Sequence, residues 1–455
     1  GRTGYNPIKV SAAYFCQDAF LNQLGVSPTF NLLTSVMDDM RPENKYLHLM
    51  DEQEAITKAQ ALLNRPGDAN VSPLAVYRRA AKADSVQQRR PNVVLIMMES
   101  MSAKFMKHFG QSETLTPFLD SLYTRSISFR NFYSAGIHTN HGLYATLYSF
   151  PAMMKRNLMK GSVIPRYSGL PTVLKENGYY NLFFMTHEGQ YDNMNAFFRT
   201  NGYDEVFSQE NYPADKVVNS FGVQDDFLYD YAIPVLNQRA ATGQPFFATL
   251  LSISNHPPYV IPPFFHPKTS EPETQIVEYA DWALRQFFEE ARKQPWFDNT
   301  IFVLEGDHGK LVGDAECELP ESYNHIPLMI YSSRIQPEEK TAFGGQVDIQ
   351  PTILGLLNID YLQNNFGVDL LKEERPCMFY TADNMVVGRN DTLLYLYNYE
   401  TQQELTYDIG NGKLNAVPMD DSFLPLKEYS FSMLQSAEFL VKHGKTLNSI
   451  PFTQQ

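Results

Sequence analysis

Cysteines, positive charges and long apolar segments are all scarce in this sequence of 455 residues. Its three cysteines, Cys16, Cys317 and Cys377, are too few for a disulfide framework and stand in no metal-ligand spacing, so at most one bridge is expected. Lys and Arg total 37 against 51 Asp and Glu, which gives a net charge of −14. A chain of this charge lacks the basic stripe that a nucleic-acid backbone requires, so we expect no nucleic-acid partner.

Two stretches without any charged residue, Asn131–Met154 and Ala240–Pro267, are long enough to span a bilayer as helices. We do not expect either to do so. The first contains a cluster of Ser, Gly, His, Thr and Asn, and the second is interrupted by the pairs Pro257-Pro258 and Pro262-Pro263. The sequence begins at a Gly without an initiator Met or a leader, so we expect it to be the soluble part of a longer protein.

Short apolar runs alternate with helix-like segments through the middle of the chain. The run Asn92–Met98 ends in polar residues, which is typical of a buried strand of a parallel sheet. Further strands are predicted at Tyr180–Met185, Phe246–Ile253, Thr300–Leu304 and Ile326–Tyr331, and helices at Thr116–Ser126, Gly142–Leu147, Pro171–Asn177, Gln275–Lys293 and Asp348–Leu357. This alternation predicts an α/β fold with a mostly parallel central sheet, helices on both faces and a ligand crevice at the carboxyl ends of the strands.

The flanking segments follow other patterns. Helices are predicted at Asp51–Leu63 and Ser72–Ala83, followed by a polar linker at Lys82–Pro91. Near the carboxyl end, short strands alternate with turn signals before a predicted helix at Pro425–Val441, so we expect a small antiparallel sheet closed by a helix. The predicted domains are an N-terminal helical and linker region at 1–90, the main α/β domain at 91–375 and a small C-terminal subdomain at 376–455.

Asp307 and His308 directly follow the predicted strand Thr300–Leu304 and its Glu-Gly extension. A carboxylate and a neutral imidazole at a strand end are suitable ligands for a divalent metal, and neighbouring glycines allow a tight turn. The alternative is an ordinary loop, in which Asp307 caps a helix and His308 bonds the backbone. Glu99, at the end of Asn92–Met98, can deliver a second carboxylate to the same sheet edge, although an acid there is also typical of a helix start.

Thr139 lies in a charge-free loop, Ser134–Gly142, that leads into a helix-like segment. Such a loop offers backbone N–H groups and a helix N-terminus to an anion, and Thr139 adds a hydroxyl. That hydroxyl becomes an effective nucleophile toward phosphorus or sulfur only when a metal or a base activates it. The alternative is that Thr139 is the N-cap residue of the following helix.

These residues and their order resemble the lipoteichoic acid synthase-like phosphoglycerol transferases of the alkaline phosphatase/sulfatase superfamily. The similarity extends from Asn92 to about Leu371, roughly three-fifths of the chain. The matching segments are Asn92–Ser100, Thr116–Leu119, Phe129–Tyr133, Gly202–Asp204, Ser254–Pro257, Tyr279–Asp281, Asp298–Thr300, Gly306–His308 and Asp348–Leu357. Each segment is short, but their joint order is specific.

The resemblance implies one divalent metal, whose ligands would be Glu99, Thr139, Asp307 and His308. It also implies that Thr139 is the nucleophile and that His256 lines the substrate site. Mn²⁺ is expected because oxygen ligands dominate, with Mg²⁺ or Zn²⁺ as alternatives. The sulfatases of the superfamily carry a Cys or Ser in a C/S-x-P-x-R motif that becomes formylglycine. The matching loop here has neither the Pro nor the Arg, so we do not expect a sulfatase reaction.

Four further residues are candidates for contact with substrate, namely His187, Asp192, Asn193 and His325. The two histidines lie at the ends of predicted strands. The lipoteichoic acid synthases place an Arg in the region that Asp192 and Asn193 occupy here, where it binds the phosphoglycerol head group. Arg199 is nearby but out of register, which leaves the head group open.

We expect an extracytoplasmic transferase that moves phosphoglycerol, or a related phospho-head group, through a covalent phosphothreonine. Its donor would be a phospholipid or another phosphodiester, and its acceptor a hydroxyl group. The resemblance also implies transmembrane helices before Gly1, which would place the catalytic domain outside the cytoplasmic membrane. The alternatives are a phosphoethanolamine transferase, a phosphodiesterase or sulfatase-like hydrolase, and a catalytically silent receptor or scaffold domain.

Overall fold

The computed structural model describes residues 46–79, 90–161 and 163–448. Cys16 and most of the predicted linker Lys82–Pro91 lie outside these ranges. Cys317 and Cys377 are free thiols. Within the described ranges no helix has both the length and the apolar composition needed to cross a bilayer.

The N-terminal region differs in part from the prediction. The predicted helix Asp51–Leu63 is confirmed as Glu52–Leu63. The predicted helix Ser72–Ala83 is wrong in its described part, because Val76–Arg78 is a strand. This strand pairs antiparallel with Tyr361–Gln363. Pairing with a distant segment therefore overrides the local helical signal.

The elements of the described residues are as follows. The strands are β1 Val76–Arg78, β2 Asn92–Met98, β3 Ile127–Tyr133, β4 Tyr180–Phe184, β5 Glu205–Phe207, β6 Phe246–Leu251, β7 Thr300–Gly306, β8 Leu328–Tyr331, β9 Glu338–Gly345, β10 Tyr361–Gln363, β11 Met378–Thr381, β12 Met385–Arg389, β13 Leu393–Asn398, β14 Gln403–Gly410 and β15 Lys413–Ala416. The α-helices are α1 Glu52–Leu63, α2 Pro117–Tyr123, α3 Thr139–Tyr148, α4 Leu170–Glu176, α5 Met194–Thr200, α6 Asp225–Ala241, α7 Pro272–Ala291, α8 Ile349–Leu356 and α9 Leu424–Lys442.

An eight-stranded sheet forms the centre of the molecule, in the order β5-β4-β6-β2-β7-β8-β3-β9. Its strands run parallel except for β8, which is antiparallel to both of its neighbours. The predicted mostly parallel sheet is therefore confirmed. Each of the five predicted strands lies in it, because continuous apolar runs suit strands that are buried on both faces.

Helices cover both faces of this sheet, as predicted. Along β2, Val93, Leu95 and Met97 enter one apolar core, while the alternate residues of the strand enter the other. Helices α3, α4, α5 and α8 contribute to the first core, and α2, α6 and α7 contribute to the second. The two cores hold the sheet between two helical layers.

The C-terminal segment forms the predicted small antiparallel sheet, in which β11 to β15 pair in chain order. Helix α9 packs on it, with the Phe431 ring 5.1 Å from the Tyr397 ring between centroids. The same helix also reaches the N-terminal region, where Gln435 Oε1 accepts a hydrogen bond from Leu49 N at 2.7 Å. The predicted closing helix thus joins the two ends of the described chain.

Six elements of the central domain were not predicted, namely β3, β5, β9, β10, α5 and α6. Strand β9 lies at the edge of the sheet and carries charged residues, since an edge strand has one side open to water. Helix α6 contains Pro234 in its interior, a residue that normally signals a helix end. Both patterns hide the element from a search for regular apolar periodicity.

Candidate active site

The ends of β2 and β7 bring two acidic side chains together. The strands are parallel neighbours with Met98 paired to Gly306, so the next residues, Glu99 and Asp307, leave the sheet side by side. Asp307 N donates to Met98 O at 3.0 Å, and Ser100 N donates to Asp307 Oδ1 at 2.8 Å. Ser100 has a left-handed φ of 50°, which turns the chain sharply after Glu99.

His308 completes this group, hereafter the metal cluster: Glu99, Asp307 and His308. Its Nε2 lies 3.6 Å from Glu99 Oε1 and 3.6 Å from Asp307 Oδ2. Its Nδ1 lies 2.7 Å from Gly309 O, and since a carbonyl only accepts, Nδ1 carries the proton. The Nε2 lone pair therefore faces the carboxylates, in the orientation that a metal-binding imidazole takes.

Both carboxylates are buried, in surroundings that disfavour negative charge. Burial, followed by the charge of Asp307, raises the pKa of Glu99 to about 7. Burial likewise raises the pKa of Asp307 to about 6. Asp307 Oδ2 has no hydrogen-bond partner among the described residues. Because buried acids are normally paired with a cation, the cluster lacks a positive charge that a metal ion would supply.

The donor set fits one divalent cation. One ligand atom from each member of the metal cluster lies within 4.8 Å of the other two. Two carboxylates and one imidazole are ligands that Mn²⁺, Mg²⁺ and Zn²⁺ all accept. The sequence therefore predicted a group of side chains that the fold does bring together.

Thr139 begins α3 and directs its hydroxyl to the same cluster. Its Oγ1 lies 3.3 Å from Glu99 Oε2. His138 occupies the N-cap position, so the N-cap alternative for Thr139 is wrong. The helix begins three residues before the predicted start at Gly142, which places Thr139 in the first turn. Backbone N–H groups there lack partners within the helix and can bind an anion.

Gly142 and Gln346 hold α3 against the end of β7. A Cβ atom at Gly142 would lie 2.1 Å from the Asp307 carbonyl oxygen, so only Gly permits this approach. Gln346 donates through Nε2 to that same oxygen at 2.8 Å and accepts from Ala135 N at 2.9 Å. It thereby ties the loop that carries Thr139 to the strand that carries Asp307.

His256 lies in the loop after β6, where its charged form favours ionisation of Glu99. Its Nδ1 lies 2.6 Å from Pro257 O, which leaves Nε2 for a ligand. The ring packs on Phe221 at a centroid distance of 4.1 Å, and the two rings share the lining of a small pocket. The structure thus places this predicted residue near the metal cluster, with one nitrogen available.

The predicted substrate residues after β4 gather around Tyr191. The buried ring of His187 packs on Tyr191 at a centroid distance of 4.5 Å. Asp192 accepts a hydrogen bond from Lys160 Nζ at 2.8 Å. Asp192 and Asn193 both have left-handed φ angles, of 48° and 64°, a strain that concentrates at functional segments. Lys160 is a cation that the sequence did not indicate for this place.

Tyr191 links this group electrostatically to the metal cluster. Burial raises its pKa to about 12, and the charges of Asp192, Glu99 and Asp307 act in the same direction. Arg199 instead bonds Asn195 Oδ1 at 2.7 Å through Nε. In this segment Tyr191 is therefore the residue whose pKa the cluster affects, with His187 packed on its ring and Asp192 paired with Lys160.

His325, also a predicted substrate residue, contacts the backbone and aromatic rings near β3. Its Nε2 bonds the Arg130 carbonyl oxygen at 2.7 Å. Its ring stacks on Tyr133 at a centroid distance of 5.1 Å and meets Phe109 edge-on at the same distance. These contacts give His325 a packing role between β3 and β8.

Lys310 forms hydrogen bonds beside the metal cluster. Its Nζ donates to Asn255 Oδ1 at 2.6 Å and to Tyr259 Oη at 3.0 Å. Asn255 Nδ2 in turn donates to Ser100 O at 3.2 Å. These bonds connect the loop that holds His256 to the segments that hold the carboxylates.

The two histidines beside Thr139 have different surroundings. His138 Nε2 lies 2.6 Å from Asp383 Oδ1, and this hydrogen bond raises the pKa of His138. His141 is fully buried, and burial lowers its pKa to about 3. Asp383 belongs to the C-terminal sheet, so nothing near Thr139 in the sequence could have indicated it. His141 is a core residue, whereas His138 remains at the site.

Comparison with known proteins finds a family model and curated relatives that match this chain. A family model described as Sulfatase matches residues 91–359. Lipoteichoic acid synthase 2 of Bacillus subtilis is 24% identical over 315 residues, which cover 62% of this chain and 47% of that protein. Lipoteichoic acid synthase 1 of the same organism is 25% identical over 350 residues, or 71% of this chain and 53% of that protein. The chain spans about half the length of these curated relatives.

Solved structures show the same fold. A protein in the alkaline phosphatase superfamily from Vibrio parahaemolyticus has a TM-score of 0.79 and 26% identity, covering 89% of this chain and 99% of that one. The lipoteichoic acid synthase LtaP from Listeria monocytogenes has a TM-score of 0.68 and 20% identity, covering 80% of this chain and 96% of that one. The fold and the superfamily expected from the sequence are therefore confirmed.

Proposed function

The chain belongs to the sulfatase family, and on that premise we propose that it is a metal-dependent phosphotransferase of the lipoteichoic acid synthase-like kind. It transfers phosphoglycerol, or a related phospho-head group, from a phospholipid or other phosphodiester to a hydroxyl acceptor. The observation that carries this proposal is the convergence of the metal cluster and the Thr139 hydroxyl at one edge of the sheet.

In this proposal Glu99, Asp307, His308 and Thr139 together hold one divalent ion. Mn²⁺ is the first choice because oxygen atoms dominate the donor set, with Mg²⁺ and Zn²⁺ as alternatives. When bound, the ion activates the Thr139 hydroxyl and offsets the charge of the phosphoryl oxygens. The raised pKa values of Glu99 and Asp307 support a site built to receive a cation.

The first step transfers the head group to the protein. Thr139 Oγ1 attacks phosphorus and forms a P–O bond, while the bond between phosphorus and the lipid oxygen breaks. The Thr139 proton passes to water. His256, protonated at Nε2, gives its proton to the leaving oxygen, which departs as the lipid alcohol. The first turn of α3 supplies backbone N–H groups that stabilise the phosphoryl oxygens.

The second step releases the head group to the acceptor. The acceptor hydroxyl attacks the phosphothreonine as His256 Nε2 takes its proton. The bond between phosphorus and Thr139 Oγ1 breaks, and the Thr139 oxygen regains a proton from water. Both His256 and Thr139 therefore return to their starting states. Near the reacting group, His187, Asp192 and Asn193 contact the head group, with Lys160 replacing the Arg of the lipoteichoic acid synthases.

The proposal also places this domain outside the cytoplasmic membrane, held there by transmembrane helices that precede Gly1. It rests on the similarity to lipoteichoic acid synthases, of which the chain spans about half. A net charge of −14 gives little general attraction to an anionic bilayer. Access to a lipid donor would therefore depend on the tether and not on charge.

The test is Thr139→Ala with Mn²⁺ and phosphatidylglycerol vesicles, measured as release of diacylglycerol. We expect release to fall by at least a thousandfold, because the nucleophile is lost. Thr401→Ala, in an exposed turn of the C-terminal sheet, is the matched control and should release diacylglycerol at the normal rate. Mass spectrometry of the unaltered protein without acceptor should find a glycerophosphate adduct at Thr139.

Normal release by Thr139→Ala, or an adduct elsewhere, would contradict the proposed nucleophile. Adding a soluble alcohol separates the reaction types. A transferase forms the new phosphodiester, whereas a hydrolase yields free glycerophosphate with or without the alcohol. Vesicles of phosphatidylethanolamine in a parallel assay identify the head group, because only the accepted donor releases diacylglycerol.

A further inference from the structure

The turn between β11 and β12 of the C-terminal sheet reaches the nucleophile loop. Asp383 lies in this turn, and its Oδ1 is 2.6 Å from His138 Nε2. His138 immediately precedes Thr139, although Asp383 comes from a sheet some 245 residues later in the chain. The contact therefore joins the C-terminal sheet to the loop that carries the proposed nucleophile.

The position of this turn is fixed by hydrogen bonds to the same loop. Thr381 N donates to Ala135 O at 2.9 Å, and Thr381 Oγ1 donates to Ala152 O at 3.2 Å. Asn324 Nδ2 donates to Thr381 O at 3.2 Å and to Ser134 O at 3.3 Å. With the end of β11 held at Ala135, Asp383 has a defined place relative to Thr139.

The His138 side chain is not used to cap α3, although the residue occupies the N-cap position. Its ring bonds Asp383 through Nε2 and meets the His141 ring edge-on at a centroid distance of 5.2 Å. The ring is about half exposed, and its charge reaches both His308 and Asp192. The ring therefore lies beside the proposed nucleophile and in electrostatic reach of both the metal cluster and the segment proposed to hold the head group.

We propose that the C-terminal sheet completes the active site, with Asp383 as the positioning residue that orients His138 so that its Nδ1 donates a hydrogen bond to a phosphoryl oxygen. This inference rests on the proposed function, because it names a further contact with the same phosphoryl group. Between a carboxylate and an anionic oxygen, the imidazole donates from both nitrogens as the cation. The exposed Asp383 carboxylate thus acts through His138 and does not touch the substrate.

The test measures binding of inorganic phosphate to the Mn²⁺-loaded protein by calorimetry, which does not require turnover. We expect His138→Gln to raise the Kd for phosphate about tenfold, since one charge-assisted hydrogen bond is lost. Asp383→Asn should raise it severalfold, because the ring loses its orientation. The double variant should bind no more weakly than His138→Gln alone, because Asp383 acts through His138.

A matched control is provided by a second ion pair between the same parts of the molecule. Lys155 Nζ lies 3.0 Å from Glu400 Oε1, also across 245 positions of sequence and also at the surface. Glu400→Gln should leave the Kd for phosphate unchanged. The melting temperature of every variant is measured alongside, so that loss of fold is distinguished from loss of binding.

Three outcomes would overturn the inference. If Asp383→Asn and Glu400→Gln bind phosphate with the same Kd, the contact between Asp383 and His138 only holds two parts of the fold together. Additive losses in the double variant would mean that Asp383 does not act through His138. Failure of the unaltered protein to bind phosphate at all would overturn both this inference and the proposed function. If Thr139→Ala turns over normally while Asp383→Asn binds phosphate more weakly, only the assignment of Thr139 as the nucleophile is contradicted.

Discussion

Two buried carboxylate sites in this molecule differ in what surrounds them. Asp348 accepts hydrogen bonds from Arg375 Nε at 2.9 Å and Nη2 at 2.5 Å, and from the backbone N–H groups of Gly345 and Val368 at 2.9 and 2.8 Å. In the metal cluster, Glu99 and Asp307 lie against each other with no Lys or Arg bonded to them among the described residues. Both sites are almost fully inaccessible to solvent.

The two sites differ in whether the protein itself supplies the cation that a buried carboxylate needs. At Asp348 the protein supplies every partner, including a guanidinium that fits the carboxylate with two donors, so the site is complete and structural. In the metal cluster the protein supplies ligands but no cation, and burial raises the pKa of both acids. A cation from outside would complete it. Substitution in the metal cluster should therefore abolish metal binding without loss of stability, whereas substitution of Asp348 should reduce stability and leave metal binding intact.

The largest effect is expected from Asp307→Asn, which removes a ligand charge from the metal cluster. Release of diacylglycerol should fall by at least a thousandfold, and bound Mn²⁺ should be lost on dialysis, as measured by metal analysis. Without metal the variant should be at least as stable as the unaltered protein, because Asn Oδ1 still accepts from Ser100 N and one uncompensated buried charge is gone.

The control for this variant is Asp314→Asn, an exposed acid in the loop after the cluster, which should keep both activity and metal. A marked fall in the melting temperature of metal-free Asp307→Asn would contradict the comparison, since it would mean that the carboxylate is paired within the protein.

The next largest effect is on stability, at the other site. Asp348→Asn leaves the buried Arg375 guanidinium without its counter-charge, so the free energy of unfolding should fall by about 3–5 kcal/mol. Urea unfolding followed by circular dichroism measures it. Where the variant still folds, Mn²⁺ binding should persist. The double variant Asp348→Asn with Arg375→Met should recover part of the loss, and no recovery would argue against an ion pair as the cause.

The sequence predicted the buried strands of the central sheet because their residues are apolar on both faces. It could not predict β9, whose charged residues Glu338 and Glu339 face solvent or pair with other surface charges. It also gave the wrong element at Val76–Arg78, where pairing with β10 decides the conformation. Local sequence patterns therefore predict strands that are buried on both faces. They do not predict segments whose conformation depends on pairing with a distant strand.

The same limit applies to the site. Glu99 and Asp307 could be placed together because parallel strands end at one edge, and the β2–β7 register confirms this. Gln346 and Asp383 could not be found, because each reaches the site from a segment that carries no motif of its own. His325 was predicted as a substrate residue. In the structure its ring bonds the Arg130 carbonyl and stacks on Tyr133, and no pattern near His325 in the sequence indicates these contacts.

A smaller, reversible effect should follow from metal and pH. At a hundred times its Kd, Mn²⁺ should stabilise the metal-free protein by about 2.7 kcal/mol, seen as a rise in melting temperature. The rise should be larger at pH 8 than at pH 5.5, because below about 7 protons compete for Glu99 and Asp307.

The metal-free protein should also lose stability as the pH rises from the ordinary Glu value of 4.5 through about 7. The folded pKa of Glu99 is raised, so in that window the folded state keeps a proton that the unfolded state releases. Glu99→Gln removes this carboxylate and should flatten both responses. A Mn²⁺ response that does not change with pH would contradict the assignment of these acids as ligands.

The smallest effect is expected at Glu305, a third buried acid that tests where the metal cluster ends. Its Oε1 accepts from Thr146 Oγ1 at 2.5 Å, and burial, opposed by this bond and assisted by the charge of Asp307, raises its pKa well above the usual range. Burial therefore favours the neutral form of Glu305, whose charge and shape Glu305→Gln retains. Turnover should stay within about threefold and stability within about 1 kcal/mol, measured by diacylglycerol release and urea unfolding. A hundredfold loss of turnover would mean that Glu305 is ionised and serves the metal cluster with Glu99 and Asp307, so that the cluster would hold three negative charges.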